Sequence, residues 1–337
     1  ASWVHALHDF ARYIYTSPRL DYVTCLSPLP VTMADASEEH GEEAGERQHF
    51  ASILRAYDNY LPWALARISR LERDLSHLSE RHRQLLHTDD KLTGMRLAAQ
   101  QNAHVLKLLV DPHRQTADAH DDKRTQVMVE EGGRKTFKPA SSTGYVPESD
   151  MEKLQSTLKQ FVREWGSEGA KEREQSHSPM LQALQELCPA ATSCRATGAA
   201  AGAARVLVPG AGLGRLAWEA ARCGYRSQGS EFSYFMLIAS NFLLNRLQHH
   251  GQVHVHPWVL QTVNQASREQ QLRSIAVPDV APWSLPAEAQ LSMCAGDFLE
   301  VYRDQSACWE AILTEFFIDT AHTLTLTLTL NLHPHPN

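Results

Sequence analysis

Along residues 49–110 the apolar positions recur at helical spacing. Phe50, Ile53, Leu54, Tyr57 and Leu61 fall at i, i+3, i+4, i+7 and i+11, which is one face of a helix. Pro62 predicts a break, after which Leu65, Ile68, Leu71, Leu75 and Leu78 resume the stripe, and residues 92–110 carry a further one. Each of these side chains reads as a core contact of a helical layer. Over residues 111–147 the period is lost. Asp111-Pro112, Gly132-Gly133, Pro139 and Ser141-Ser142-Thr143-Gly144 gather among charges and predict a surface loop. Ser149 and Glu152 then make a capping-box pair, so a helix is expected with Ser149 as its N-cap and with Met151, Leu154, Leu158, Phe161, Val162 and Trp165 along it.

From Arg205 the pattern changes character. A short apolar run, Val206-Leu207-Val208-Pro209, meets glycines at 210, 212 and 214, and helical periodicity returns at Leu216, Ala217, Trp218, Ala220 and Ala221. Strand, glycine turn and helix are the parts of a nucleotide-binding crossover, in which glycines admit a ligand close to the backbone and the helix N-terminus offers free N–H groups. A dinucleotide fingerprint would continue with glycine at position 215, where this chain has Arg215. That points to a ligand without a pyrophosphate, of which S-adenosylmethionine is the commonest. Residues 225–231 read as a second strand, and Glu231, 17 residues beyond Gly214, stands where an acid can accept both ribose hydroxyls. An apolar helix follows over 232–246.

Residues 251–289 are long for a connection, and the prolines of Pro278-Asp279-Val280-Ala281-Pro282-Trp283 suggest an ordered insertion. Leu291 to Gly296 predicts a third strand, followed by Asp297, which can accept from an adenine amine, and Phe298, which can cover the ring. Trp309 to Ile318 predicts a fourth strand, ended by Asp319. Each residue has a plainer reading as well: Gly210, Gly212 and Gly214 as a structural turn, Glu231 as a solvated loop acid, Asp297 as a turn residue followed by Phe298 as core, and Asp319 as a strand-end helix cap.

Composition narrows the field. With 337 residues and 43% apolar content the chain can bury a sizeable core and form about two domains. A net charge of −7 gives no global field for nucleic acid or anionic membrane. No apolar run reaches the ~20 residues of a membrane span, and the start lacks the pattern of a signal peptide. The six cysteines are dispersed without a C-x-x-C, and the 18 histidines show no convincing ligand spacing. The expectation is therefore free thiols in a reducing compartment, no metal, and a cytoplasmic or additionally nuclear location.

The run LVPGAGLGRLAWEAARCGY, then QGSEFSYFMLIASNFLLNR, PDVAPWSLP, AGDF and FFIDTAH, resembles the carnosine N-methyltransferase family from about Glu38 to His322. The resemblance implies an α/β class I methyltransferase with a Rossmann-like parallel sheet and an N-terminal helical region. It implies S-adenosylmethionine as cofactor and methyl transfer to the imidazole of a histidine-containing dipeptide, with a homodimer admitted as the assembly. It further assigns Gln160 and Arg163 to the methionine end of the cofactor and Asp319 to the substrate imidazole, whose far N–H the carboxylate would hold. On this segmentation residues 1–37 are an unassigned extension and 38–195 the helical region, with a flexible loop near 111–147. Residues 196–322 form the cofactor domain with insertion 251–289, and the Thr/Leu alternation of 323–337 is a low-complexity tail that leaves the sheet incomplete. Two rival readings stay open: a catalytically inactive truncated homologue that only binds cofactor or a partner, and, disfavoured by Arg215, an NAD-dependent oxidoreductase.

Overall fold

The computed structural model describes residues 36–121, 126–131, 134–139, 146–189 and 203–318. In chain order, helices α1 (Ala36–Ser76), α2 (Glu80–Leu85) and α3 (Thr88–Asp121) precede strands β1 (Gln126–Glu131) and β2 (Arg134–Pro139). Helices α4 (Glu148–Trp165) and α5 (Ala170–Leu187) lead into β3 (Arg205–Pro209), α6 (Arg215–Arg222), β4 (Arg226–Glu231) and α7 (Tyr234–Arg246). The short elements β5 (Val253–Val255), α8 (Arg268–Leu272) and β6 (Ile275–Val277) come next, then β7 (Gln290–Ala295), α9 (Phe298–Val301) and β8 (Ala311–Ile312). The chain divides into two compact units, one of Gly45–Leu158 with His254–Ser274, the other including Lys159–Val253 and the chain from Ile275 onward.

In the first unit the helical stripe of α1 buries Ile53, Leu54, Tyr57, Tyr60, Ala64 and Ile68. Pro62 does not break this helix, contrary to the sequence expectation; α1 runs 41 residues through it. The proline lies on the exposed side, where the backbone carbonyl that loses its partner can turn to water, while the apolar face on either side keeps the helix seated. Asn102 of α3 is fully buried and fully engaged: its Nδ2 donates to the Tyr60 hydroxyl (2.9 Å) and to the His256 carbonyl (2.8 Å), and its Oδ1 accepts the His256 N–H (2.7 Å).

The loop expected over 111–147 is also corrected. Helix α3 continues through Pro112 to Asp121, and β1 and β2 pair antiparallel in a register that closes at Glu131↔Arg134. A glycine pair between Val127/Val129 alternation and a second strand is a hairpin signal that the local density of charge and glycine obscured. Helix α4 begins at Glu148, one residue before the expected N-cap Ser149. Pro147 supplies the starting φ and its carbonyl accepts the Asp150 N–H (3.1 Å), which places Ser149 inside the first turn.

The second unit is an α/β layer. Its sheet has four parallel strands in the order β7-β4-β3-β8. Central strand β3 buries Val206, Leu207 and Val208, as a strand covered on both faces must. Helix α7 is buried almost all round, in keeping with its unbroken apolar sequence. The fourth strand is much shorter than Trp309–Ile318: only Ala311 and Ile312 pair, with Val206 and Leu207. The chain then leaves the sheet, turning through Phe316 at φ +51°. The four strands nevertheless carry the class I methyltransferase-like order, with the reversal of strand order falling between β3 and β8. That reversal is where an open α/β sheet places its ligand.

Candidate functional site

A cavity of about 710 Å³ lies at the carboxyl ends of β3, β4 and β7, within the α/β unit. The sequence assigned eight residues to a cofactor, and seven of them line this one cavity: Gln160, Arg163, Gly210, Gly212, Glu231, Asp297 and Phe298. Gly214 does not. It caps α6 at φ +84°, and a Cβ there would meet Leu244, Met293 and Ser240, so its requirement is conformational and packing-related. Asp319 lies outside the described residues.

The sequence folds this way because each strand ends on a residue that the next turn needs. Glu231 closes β4, and its two oxygens take three backbone N–H groups. Oε2 accepts from Gly212 (2.9 Å), and Oε1 accepts from Phe232 (2.9 Å) and Ser233 (2.8 Å). Burial pushes its carboxyl above the usual carboxylate range, while the N–H groups of Ser233, Gly212 and Phe232 pull the other way. Oε2 retains a lone pair for a further donor. Asp297, after β7, caps α9 through Oδ1, which accepts the N–H groups of Leu299 (2.9 Å) and Glu300 (3.2 Å). Asp297 is therefore a helix cap, where the plainer reading made it a turn residue, and the cap is compatible with a binding role because Oδ2 is not used by it. Phe298 stands edge-on to Phe317 with ring centroids 5.4 Å apart and tilted against Tyr302 at 5.2 Å. Phe317 in turn lies so close over Gly210 that a Cβ there would come within 2.7 Å of its ring.

The helix α4 end of the cavity is polar. Gln160 donates to Glu164 Oε1 (2.6 Å). Arg163 is paired with Glu172 through Nε (2.7 Å) and Nη2 (2.6 Å), and its guanidinium lies 4.0 Å over the Phe316 ring. Glu172 engages one side of the fork, which leaves the Nη1 side for a ligand carboxylate.

Several lining residues were not singled out in the sequence. Glu164, 8% exposed, accepts the N–H groups of Leu213 (2.9 Å, on Oε1) and Arg215 (3.1 Å, on Oε2). Burial raises its carboxyl above the ordinary value, opposed by those N–H groups, by Gln160 and by the charge of His177. His177, 5% exposed, pairs through Nε2 with Glu315 Oε2 at 2.7 Å. Burial pushes the Glu315 carboxyl up, but the hydrogen bonds of His177 and Ser176 and the charges of His177 and Arg163 prevail and hold it below the ordinary value. Phe316 and Phe317 were assigned to a strand and instead form cavity wall. No short-range pattern marks Glu164 or His177, because the N–H groups of Leu213 and Arg215 and the carboxylate of Glu315 lie 49 to 138 residues away. Behind the cavity, Asp279 joins two buried guanidiniums. Its Oδ2 pairs with Arg173 and its Oδ1 with Arg215 (2.6 Å), while Arg215 also stacks on Trp165 and Trp218.

Among the described residues no His/Cys/Asp/Glu group is arranged to hold a metal ion, and no helix is long and apolar enough to cross a membrane. Cys188, Cys223, Cys294 and Cys308 are free thiols.

A family model described as carnosine N-methyltransferase matches residues 140–328. The carnosine N-methyltransferase of Mus musculus is 37% identical over 287 residues, which cover 84% of this chain and 66% of the mouse protein. Carnosine N-methyltransferase unmet of Drosophila melanogaster is 34% identical over 289 residues (84% and 62%), and the Schizosaccharomyces pombe carnosine N-methyltransferase 41% identical over 177 residues (52% and 46%). This chain therefore spans no more than about two thirds of the relatives' length.

Proposed function

We propose, from the premise that the chain belongs to the carnosine N-methyltransferase family, that it binds S-adenosylmethionine in the 710 Å³ cavity and methylates the imidazole of a histidine-containing dipeptide such as carnosine. The observation that carries the reading is the convergence of Glu231, Asp297 and Phe298 on one cavity beside the Gly210–Gly212 turn. A carboxylate at the second strand tip suits a ribose diol, and an acid with an aromatic ring at the third suits an adenine amine and ring face. Arg163 and Gln160 stand at the end that the cofactor's amino-acid portion would take. When bound, the cofactor supplies an electrophilic methyl group on a sulfonium.

The chain's own residues have the remaining tasks. Glu231 and Asp297 orient the adenosine, and Phe298 with Phe317 shields it from water. Asp319, which follows the described Ile318, is proposed to accept the far imidazole N–H. That bond would fix the tautomer, leave the other nitrogen's lone pair available for the methyl, and stabilise the cation formed. Cytoplasmic, or cytoplasmic and nuclear, location and a homodimer belong to the same proposal.

Incubation with carnosine and methyl-labelled S-adenosylmethionine tests the reading. Label is expected on an imidazole nitrogen of the dipeptide, and Asp319→Asn is expected to lower turnover by about ten- to a hundredfold while leaving cofactor affinity within about twofold. Cofactor binding with no label on carnosine would favour the inactive, binding-only alternative.

A further inference from the structure

In the turn between β3 and α6 five consecutive N–H groups are unavailable to a phosphate. From Ala211 to Arg215 every backbone N–H already has a protein acceptor. Ala211 donates to the Ser230 carbonyl (2.9 Å), Gly212 to Glu231, Leu213 to Glu164, Gly214 to the Ala211 carbonyl (2.8 Å) and Arg215 to Glu164. In phosphate-binding turns those donors face the ligand's anionic oxygens. Here two carboxylates of the chain stand in that role. One of them, Glu164, comes from helix α4, 49 residues before Leu213.

The surroundings of Glu164 are built to keep it there. Both oxygens accept hydrogen bonds, from Leu213 and Gln160 on Oε1 and from Arg215 on Oε2, a donor set that matches the ionised form. A Cβ at Gly212 would lie 2.4 Å from Glu164 Oε1. Glycine at 212 is thus required by a carboxylate of the same chain, where a dinucleotide turn needs it for a pyrophosphate. Arg215, standing where a third glycine would be, also donates from Nη1 to the Glu164 carbonyl (3.1 Å). Its guanidinium is held by Asp279 and Glu219, so the segment bearing Glu164 is tied to the first turn of α6 by side chain and backbone together.

We propose that Glu164 is a specificity-determining residue: it fills the phosphate seat of the glycine turn and so selects a phosphate-free, cationic adenosyl ligand over nucleotides and dinucleotides. This rests on the proposed use of the cavity for an adenosyl group. Its carboxylate occupies space that phosphate oxygens would need, and its charge, on a side chain only 8% exposed, repels phosphate and attracts a sulfonium.

The test is calorimetric binding of adenosine, ADP, NAD and S-adenosylhomocysteine to the full chain and to Glu164→Gln. The unmodified protein is expected to hold adenosine at least tenfold more tightly than ADP. Glu164→Gln is expected to shrink that ratio at least tenfold, chiefly by gaining ADP affinity. Gly212→Ala, which pushes the carboxylate from its seat without removing it, should shift the ratio in the same direction. ADP bound as tightly as adenosine by the unmodified protein would overturn the inference, and needs no variant to fold. So would an unchanged ratio in a folded Glu164→Gln. Failure to bind S-adenosylhomocysteine while adenosine still binds would count against the proposed cofactor, and the adenosine-to-ADP ratio would still decide the role of Glu164.

Discussion

Glu231→Ala is expected to weaken binding of S-adenosylhomocysteine and of adenosine by about a thousandfold. Two hydrogen bonds from a ribose diol to an ionised acceptor contribute about 1.5–3 kcal/mol each, roughly two to four orders of magnitude together. The substitution also strips the acceptor from the N–H groups of Gly212, Phe232 and Ser233, so the glycine turn that faces the ligand loses its restraint. Calorimetry measures the affinity, and a change of less than tenfold would remove Glu231 from the ribose site. The pH dependence has a definite sign. Because burial raises this carboxyl, the folded chain holds its proton more tightly than the unfolded chain does. The group's contribution to stability is therefore present at low pH and lost as pH rises from the ordinary carboxyl value of about 4.3 through the raised one. Ligand binding runs the opposite way. On the proposed role the ionised form would accept the diol, so adenosine affinity should decline as pH falls through the raised value, starting above the range of an ordinary glutamate. The Glu231→Ala variant should lack that component.

The parts of this site that could be read from sequence are those in which neighbours in the chain are neighbours in space. The β3–glycine–α6 crossover needs only an apolar run, alternate glycines and a helical stripe. Asp297 follows because it sits just past an apolar strand, and Glu231 because its distance from the glycine turn fits the tip of the second strand, polar though Arg226–Glu231 is; a parallel sheet delivers both to one edge. The fourth strand failed for a local reason: Trp309 to Ile318 is apolar enough to be strand, but it pairs with β3 only at Val206 and Leu207, and the positive φ at Phe316 turns the chain into the cavity wall. Pro62 failed because exposure, which decides whether a helix tolerates proline, is set by packing and not by the residue's own preference. Glu164 was invisible for a different reason. On its helix it is one more acid near the end of a stripe, and only the fold brings it to the N–H groups of Leu213 and Arg215. The glycine at 212 carried a trace of it, since a carboxylate as much as a ligand can demand the absence of a Cβ.

Asp279→Ala is expected to be the most destabilising single change behind the cavity, costing about 3–5 kcal/mol. The aspartate is 13% exposed and lies between the guanidiniums of Arg173 and Arg215, which are 9% and 8% exposed. Burial pulls Arg173 below its ordinary pKa; Asp279 opposes this and the neighbouring Arg215 reinforces it, so removing the acid leaves two like charges facing each other out of water. Replacing both partners of such an arrangement with apolar groups can be neutral, but deleting one is not, because the remaining charge keeps its desolvation cost. The damage should reach the ligand site as well. Arg173 donates from Nη1 to the carbonyls of Arg163 (2.6 Å) and Gly166 (3.0 Å), and Arg215 to that of Glu164 (3.1 Å). The Arg173–Asp279–Arg215 group therefore holds the backbone that presents Arg163 and Glu164 to the cavity. A lower denaturant midpoint is expected together with weaker S-adenosylhomocysteine binding. Addition of saturating ligand should recover part of the lost thermal stability, by the mass-action stabilisation of a state that can still bind. An Asp279→Ala protein as stable as the parent would show that the two arginines reach water, and the account of this wall as a buried ionic frame would fall with it.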